Sequence, residues 1–134
     1  MLAAIVVSAT IGCNTVKPDD LVGNWTMLDR SRQYLPAELR TIAPRLTLGA
    51  GGTFTAVDLP GGQIRGPAGV VVALSGPGKW ALRTQDGRTL IQLTFDGGVG
   101  TQLDISNSLG SPTTLYYFVS DPDSGQRIEL ARGQ

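Results

Sequence analysis

The chain repeatedly alternates apolar and polar residues over short segments, and residues that favour turns separate these segments. The clearest case runs from Thr89 to Phe95, where Ile91, Leu93 and the phenylalanine share one face. Asp86-Gly87 precedes this segment and Asp96-Gly97-Gly98 follows it, and both are typical of tight hairpin turns. A pattern with a period of two residues gives each segment one apolar face, so the segments need a common interior.

About eight such segments follow one another at hairpin spacing. They are Trp25–Leu28, Arg45–Leu48, Thr53–Leu59, Lys79–Arg83, Thr89–Phe95, Thr101–Ser106, Thr113–Val119 and Gln126–Ala131. Consecutive strands joined by short turns pair in an antiparallel meander, and a meander of this size leaves no exposed edges when it closes. The sequence therefore predicts an all-β fold, an antiparallel meander of about eight strands closed into a small barrel.

The two tryptophans of the chain each follow a glycine, in Gly23-Asn24-Trp25 and in Gly78-Lys79-Trp80. Both open a predicted strand, and we expect both rings to lie on the floor of the barrel interior. One short helix is predicted over 36–42, because Pro36 suits a first helical turn and good helix formers follow it. The run 70–74 is apolar without alternation, so it is either a strand buried on both sides or a flap over something apolar.

The N-terminus carries an apolar run, Leu2–Ile11, that ends at Gly12-Cys13. A membrane span needs about 20 residues, so the run is too short to cross a bilayer but fits the core of a secretory signal. Small residues before a single cysteine resemble the lipobox of bacterial lipoproteins. That resemblance implies removal of residues 1–12 and a diacylglycerol on Cys13, with 13–20 as the tether and 21–134 as the domain. The alternative is a buried N-terminal strand with Cys13 as a small core residue.

Gly23-x-Trp25 at the start of the meander, with Arg132 at the end of the last strand, resembles the lipocalin or calycin plan. The whole is similar to the small lipocalin-like domains of bacterial lipoproteins, most of which have no assigned function. In that family the first tryptophan closes one end of the barrel and the late arginine stacks on it. The resemblance therefore implies that Gly23, Trp25 and Arg132 close one end here.

Several functional classes are excluded or disfavoured by what the sequence lacks. There is no histidine, so neither a Ser-His-Asp triad nor imidazole-ligated zinc is possible. Eleven basic and eleven acidic residues cancel, which argues against a nucleic-acid partner. The carboxylates Asp58, Asp96 and Asp104 lie near strand ends, but nothing pairs two of them for catalysis. We expect no cofactor and no metal site, since Asp121–Gly125 reads as a hairpin turn.

Three functional hypotheses remain, and the first is a non-catalytic lipoprotein anchored at the cell envelope that holds a small apolar or amphipathic ligand. Its site would be the barrel end opposite Trp25, formed by the two longest connections, 30–44 and 60–74. The predicted binding residues are Arg32, Tyr34, Arg40, Arg45, Val70, Val72 and Leu74.

The second hypothesis is a protein-binding module of the inhibitor or immunity type at the envelope. It would use the aromatic strand 115–119 and the segment 30–45, because Tyr and Arg are favoured at interfaces. The third, and least favoured, is an enzyme that uses carboxylates. An interior with a cavity would favour the first hypothesis. An interior filled by Trp25, Trp80 and Phe95, with aromatic residues facing outward, would favour the second.

Overall fold

Eight antiparallel strands form a closed barrel in which each strand pairs with the next in the chain and β8 pairs with β1. This is a computed structural model, and it describes residues 16–62, 71–108, 111–118 and 126–133. The strands are β1 Gly23–Met27, β2 Arg45–Leu48, β3 Thr53–Gly62, β4 Val71–Gln85, β5 Arg88–Phe95, β6 Gly100–Ser108, β7 Ser111–Phe118 and β8 Arg127–Arg132. The predicted fold class, an eight-stranded antiparallel barrel, is confirmed.

The strands follow the alternation in the sequence, since the inward positions are apolar and buried. In β2 the two leucines are buried and Arg45 and Thr47 are exposed, and β5 buries Ile91, Leu93 and Phe95. These side chains belong to one continuous apolar cluster that includes residues from all eight strands. Hydrophobic burial of this cluster is the main term that stabilises the barrel.

The short helix predicted over 36–42 takes the form of a 3₁₀ turn, Ala37–Leu39, and is shorter than predicted. The connection between β1 and β2 also contains a longer 3₁₀ turn, Asp29–Tyr34. Pro36 and Pro44 bound a short stretch in which an α-helix is only marginally stable, and its amides bond to carbonyls three residues earlier, as from Leu39 to the carbonyl of Pro36. A third 3₁₀ turn, Pro18–Leu21, precedes β1.

The β3–β4 hairpin is longer than the sequence predicts, since β3 continues to Gly62 and β4 begins at Val71. The predicted connection 60–74 therefore contains strand residues at both of its ends. From Val71 onward the apolar run 70–74 is neither a flap nor an irregular segment, because it pairs with β3, with Leu74 opposite Leu59. Its exposed Ala73 and half-buried Leu74 show the ordinary alternation of a strand with one buried face.

Connections in an antiparallel meander alternate between the two barrel ends. The connections after β1 and β3 share one end, which we call the far end. The other end, with Gly23 and the 3₁₀ turn Pro18–Leu21, is called the closed end. Leu21 at the closed end and Leu35 at the far end are both buried in the same apolar cluster as the strands. Segments outside the strands thus complete the core at both ends.

Candidate functional site

The closed end is built around Trp25, whose side chain is fully buried. Its indole N–H donates to the carbonyl oxygen of Leu21 over 2.9 Å, which fixes the preceding turn over the ring. The guanidinium carbon of Arg132 lies 4.5 Å from the ring centroid. One Arg132 nitrogen also donates to the carbonyl of Val22 over 2.7 Å. The lipocalin resemblance implies that this arginine stacks on Trp25, and the guanidinium lies over the ring here.

Gly23 allows this arrangement for two reasons. Its φ of +139° is a conformation that side chains disfavour, and a Cβ placed there would lie 2.8 Å from Nη1 of Arg132. Only glycine leaves room for the guanidinium at this point of the backbone. The three residues singled out in the sequence therefore form one connected unit at the closed end.

The described part of the interior is packed with large apolar side chains. Trp25, Trp80 and Phe95 all belong to the core cluster, and the rings of Phe54 and Phe95 meet edge to face at 5.0 Å. The Trp80 indole N–H donates to the carbonyl of Gly49 over 2.9 Å. No buried side-chain nitrogen or oxygen in the described ranges lacks a hydrogen-bond partner. The described interior therefore offers no unsatisfied polar group for recognising a ligand.

Tyr117 is the one inward-facing tyrosine of β7 that the structure describes. Its side chain is buried, and its hydroxyl donates to the backbone carbonyl of Pro60 in β3. Burial raises the pKa of this hydroxyl well above its ordinary value, because the phenolate would be removed from water. Tyr117 is a structural link across the interior and is not poised for proton transfer.

Two of the predicted binding arginines hold their own segment together. Arg32 donates through Nη1 to the carbonyls of Arg40 and Ile42, over 2.8 and 2.6 Å. Arg40 donates through Nε to the carbonyl of Leu35 over 2.9 Å. A guanidinium bonded to backbone carbonyls is held within its own segment, so part of the donor capacity of these two arginines is already used.

The remaining predicted binding residues do not form one site. Leu74 packs against the core cluster, whereas Arg45 lies on the outer face of β2. Val72 belongs to β4, but the structure does not describe its side chain. Val70 and the predicted lipidation site Cys13 lie outside the described residues. The predicted tether 13–20 is described only from Val16, and this valine is buried in the core cluster, so the folded part begins before Leu21.

Arg45 lines a shallow outer groove of about 310 Å³ on β1, β2 and β3. Its other lining residues are Asn24, Thr26, Thr47, Thr55, Val57 and Gly133. Most of these residues have polar side chains, and Val57 is the one large apolar side chain among them. Small-molecule sites are usually lined by apolar and aromatic groups, so the groove does not match a purely apolar ligand.

A second concavity, of about 120 Å³, lies where the β1–β2 connection crosses the outer face of β8. Arg30 and Tyr34 come from the connection, and Arg127 and Glu129 come from the strand. Tyr116 lies beside them, opposite Glu129 in the register of β7 and β8. We call these five residues the Arg–Tyr patch. The structure thus joins the aromatic strand and the arginine-rich segment that the protein-binding hypothesis invokes.

Sequence reasoning missed Arg127 and Glu129 as members of this patch. A signal was present, because Arg127-Ile128-Glu129 places both charged residues on one face of β8 and the isoleucine on the other. The sequence does not show that the segment containing Arg30 crosses β8 at this point and buries the glutamate.

The three carboxylates considered for catalysis occupy separate places. Asp104 on β6 forms an ion pair with Arg88 at 2.8 Å. Asp58 lies in the irregular part of β3, with a φ of 51°, and Asp96 follows β5. Within the described ranges no group of three or more Cys, Asp or Glu side chains is placed to hold a metal ion. The described part of the chain also contains no helix long and apolar enough to span a membrane.

Comparisons with known proteins identify no relative of this chain. No family model matches the chain, and neither a curated protein nor a solved structure matches it significantly.

Proposed function

We propose that this protein is a non-catalytic binding protein of the bacterial cell envelope, held to a membrane by a lipid on Cys13, and that it binds a protein partner on the outer face of its barrel. The proposal includes a lipocalin-like origin of the barrel. Gly23-x-Trp25 and the stacked Arg132 support that origin together with the eight-stranded meander. The apolar run that ends at Gly12-Cys13 supports secretion and lipidation.

The packing of the described interior is the observation that carries the choice of partner. Trp25, Trp80 and Phe95 pack inside it, and their exposed fractions are 0%, 7% and 7%. A small barrel has room for side chains or for one small ligand, but not for both. Binding at the outer face is therefore better supported than a small apolar ligand inside the barrel.

The Arg–Tyr patch supports the outer face as the place of binding. Aromatic residues and arginine are enriched at protein interfaces, because they combine a large contact area with directional hydrogen bonds. Two tyrosines and two arginines lie together here, and Arg127 already stacks on Tyr116 with 4.3 Å between its guanidinium carbon and the ring centroid. Such prior ordering lowers the entropy that association would otherwise cost.

The test is to express the full gene, extract the protein from its own membrane in a mild detergent and record native and intact mass spectra. We expect acyl chains on Cys13 and a complex whose added mass is that of a protein. A Cys13→Ser variant should move to the soluble fraction and carry no acyl mass. A stoichiometric small molecule in place of a protein would overturn the choice of partner, and equal fractionation of both forms would overturn the anchor.

A further inference from the structure

Glu129 is a charged residue on the outer face of a strand, yet its side chain is only 9% exposed. Each of its oxygens meets a different guanidinium. Oε1 lies 3.0 Å from Nε of Arg30, and Oε2 lies 3.1 Å from Nη2 of Arg127. One carboxylate thus lies between two cations, and the three side chains together carry a net charge of +1.

The two arginines come from segments that folded structure holds in place. Arg30 belongs to the 3₁₀ turn Asp29–Tyr34, and the Leu28 amide before that turn donates to the Glu129 carbonyl over 2.8 Å. The Glu129 amide in turn donates to the hydroxyl of Ser31, which is fully buried. Arg127 is held from the other side by its stacking on Tyr116.

Both guanidinium groups keep N–H donors that no described residue uses. Arg30 bonds to Glu129 through Nε alone, and its side chain is 68% exposed. Arg127 meets Glu129 through one nitrogen and is 35% exposed. Arg32 and Arg40, by contrast, each donate to two backbone carbonyls of their own segment. Among the described residues the remaining donors of Arg30 and Arg127 have no other acceptor, and the guanidinium fork matches a carboxylate or a phosphate group.

The size of the concavity selects the kind of ligand. At about 120 Å³ it is smaller than the 300 Å³ or more that is roughly usual for small-molecule sites. A single carboxylate side chain would fit, while the rest of its chain would lie over the exposed surface around it. The occupant that matches this volume and the excess positive charge is an acidic side chain that projects from a protein.

We propose that Arg30 and Arg127 bind a Glu or Asp side chain of the protein partner, with Glu129 fixing the position of both guanidinium groups. This inference rests on the proposed function, because it names the chemistry of the surface that meets the partner. Glu129 does not itself contact the partner and acts as a positioning residue.

The experiment is an NMR titration of the whole mature chain with a blocked hexaglutamate peptide, in which the arginine Nε–Hε signals are followed. We expect the Arg30 and Arg127 signals to shift and saturate together, whereas the Arg83 signal stays in place. Arg83 is exposed, and its side chain makes no ion pair or hydrogen bond with the described residues. Arg30→Gln and Arg127→Gln should each weaken binding about tenfold, the loss expected when one charged hydrogen bond is removed.

Three controls decide whether the site is specific. Arg83→Gln should leave the affinity unchanged, and Arg30→Lys should bind between wild type and Arg30→Gln because lysine lacks the guanidinium fork. Hexaglutamine should not bind. The proposal is overturned if Arg83→Gln weakens binding as much as Arg30→Gln, since attraction to overall charge would then be sufficient. It is also overturned if acetate or inorganic phosphate binds as tightly as the peptide, since the occupant would then be a free anion.

Failure of the proposed function would look different. In that case the membrane extract would contain no protein complex, whatever the result of the hexaglutamate titration. If the extract contains a complex and Arg30→Gln does not reduce its recovery, the proposed function stands and this site is wrong. Circular dichroism and amide spectra of each variant exclude loss of fold as the cause of weaker binding.

Discussion

The guanidinium of Arg132 stacks on the ring of Trp25, and the two residues face each other in register at the seam where β8 meets β1. The same guanidinium donates to the backbone carbonyls of Asp20 and Val22, just before β1. One side chain therefore connects the last strand, the first strand and the turn that covers the closed end. Closure of the barrel depends on this seam, because every other strand pair joins neighbours in the chain.

Replacement of Arg132 by alanine should lower the free energy of unfolding by about 1–3 kcal/mol, because it removes the cation–π contact and charged hydrogen bonds. Arg132→Lys should lose less stability than Arg132→Ala, because the positive charge remains. It should still be less stable than the wild type, because lysine lacks the planar guanidinium. Trp25→Ala should cost more, about 3–5 kcal/mol, because it leaves a cavity in the core. Urea denaturation measures all three. Arg83→Ala is the matched control and should change stability by less than about 0.5 kcal/mol. An equal loss of stability in Arg132→Ala and Arg83→Ala would contradict the role of the seam.

Gly23→Ala should also destabilise the closed end, by about 1–3 kcal/mol, because alanine disfavours a φ of +139° and its Cβ would meet Nη1 of Arg132. Gly97→Ala provides the control, since no atom lies within 4 Å of a Cβ built there. The double variant with Arg132→Ala should lose less than the sum of the single losses, because the clash disappears with the guanidinium. Additive losses would show that backbone strain alone accounts for the effect of Gly23→Ala.

Arg32→Ser and Arg40→Ser should loosen the β1–β2 connection locally, because each removes bonds to backbone carbonyls within 33–42. Hydrogen exchange followed by mass spectrometry should show faster exchange in that segment. Exchange in β5 should change little, since its bonds are in the barrel wall. Arg45→Ser is the control, because the Arg45 side chain makes no bond to the described residues. If Arg32→Ser alters exchange no more than Arg45→Ser does, the bonds seen at Arg32 do not order the segment.

The sequence predicts the barrel well because alternation and turn chemistry are local signals. Asp86-Gly87 illustrates this, since both residues have positive φ and they form the two-residue turn between β4 and β5. The lipocalin resemblance, together with the strand count, identifies Gly23, Trp25 and Arg132 as residues that close one end of the barrel. Their contact is long-range, but it joins the first and last strands, which closure alone brings together.

The Arg–Tyr patch is harder to predict from sequence, and the reason is physical. An acidic residue on the outer face of a strand is normally solvated, so nothing local marks Glu129 as buried. Its burial depends on the turn containing Arg30, which lies 99 positions away in the chain. The bonds of Arg32 and Arg40 to backbone carbonyls have no sequence signature either, because every residue offers the same acceptor. For that reason the two arginines resemble free cations in the sequence.

Tyr117 gives a prediction that depends on pH. At neutral pH, Tyr117→Phe should reduce the free energy of unfolding by about 1–2 kcal/mol, because the buried carbonyl of Pro60 loses its donor. The pKa of the Tyr117 hydroxyl is raised in the folded state, whereas an unfolded chain ionises this group near pH 10. Above about pH 10 the unfolded state therefore releases a proton that the folded state retains, and the wild type loses stability as the pH rises. Phenylalanine cannot ionise, so the advantage of the wild type should shrink by up to about 1.4 kcal/mol for each pH unit above that point.

Urea denaturation of both proteins from about pH 7 to about pH 11 measures the difference. A stability gap that stays constant over this range would mean that the hydroxyl ionises equally in both states, and the buried link between β7 and β3 would have to be abandoned.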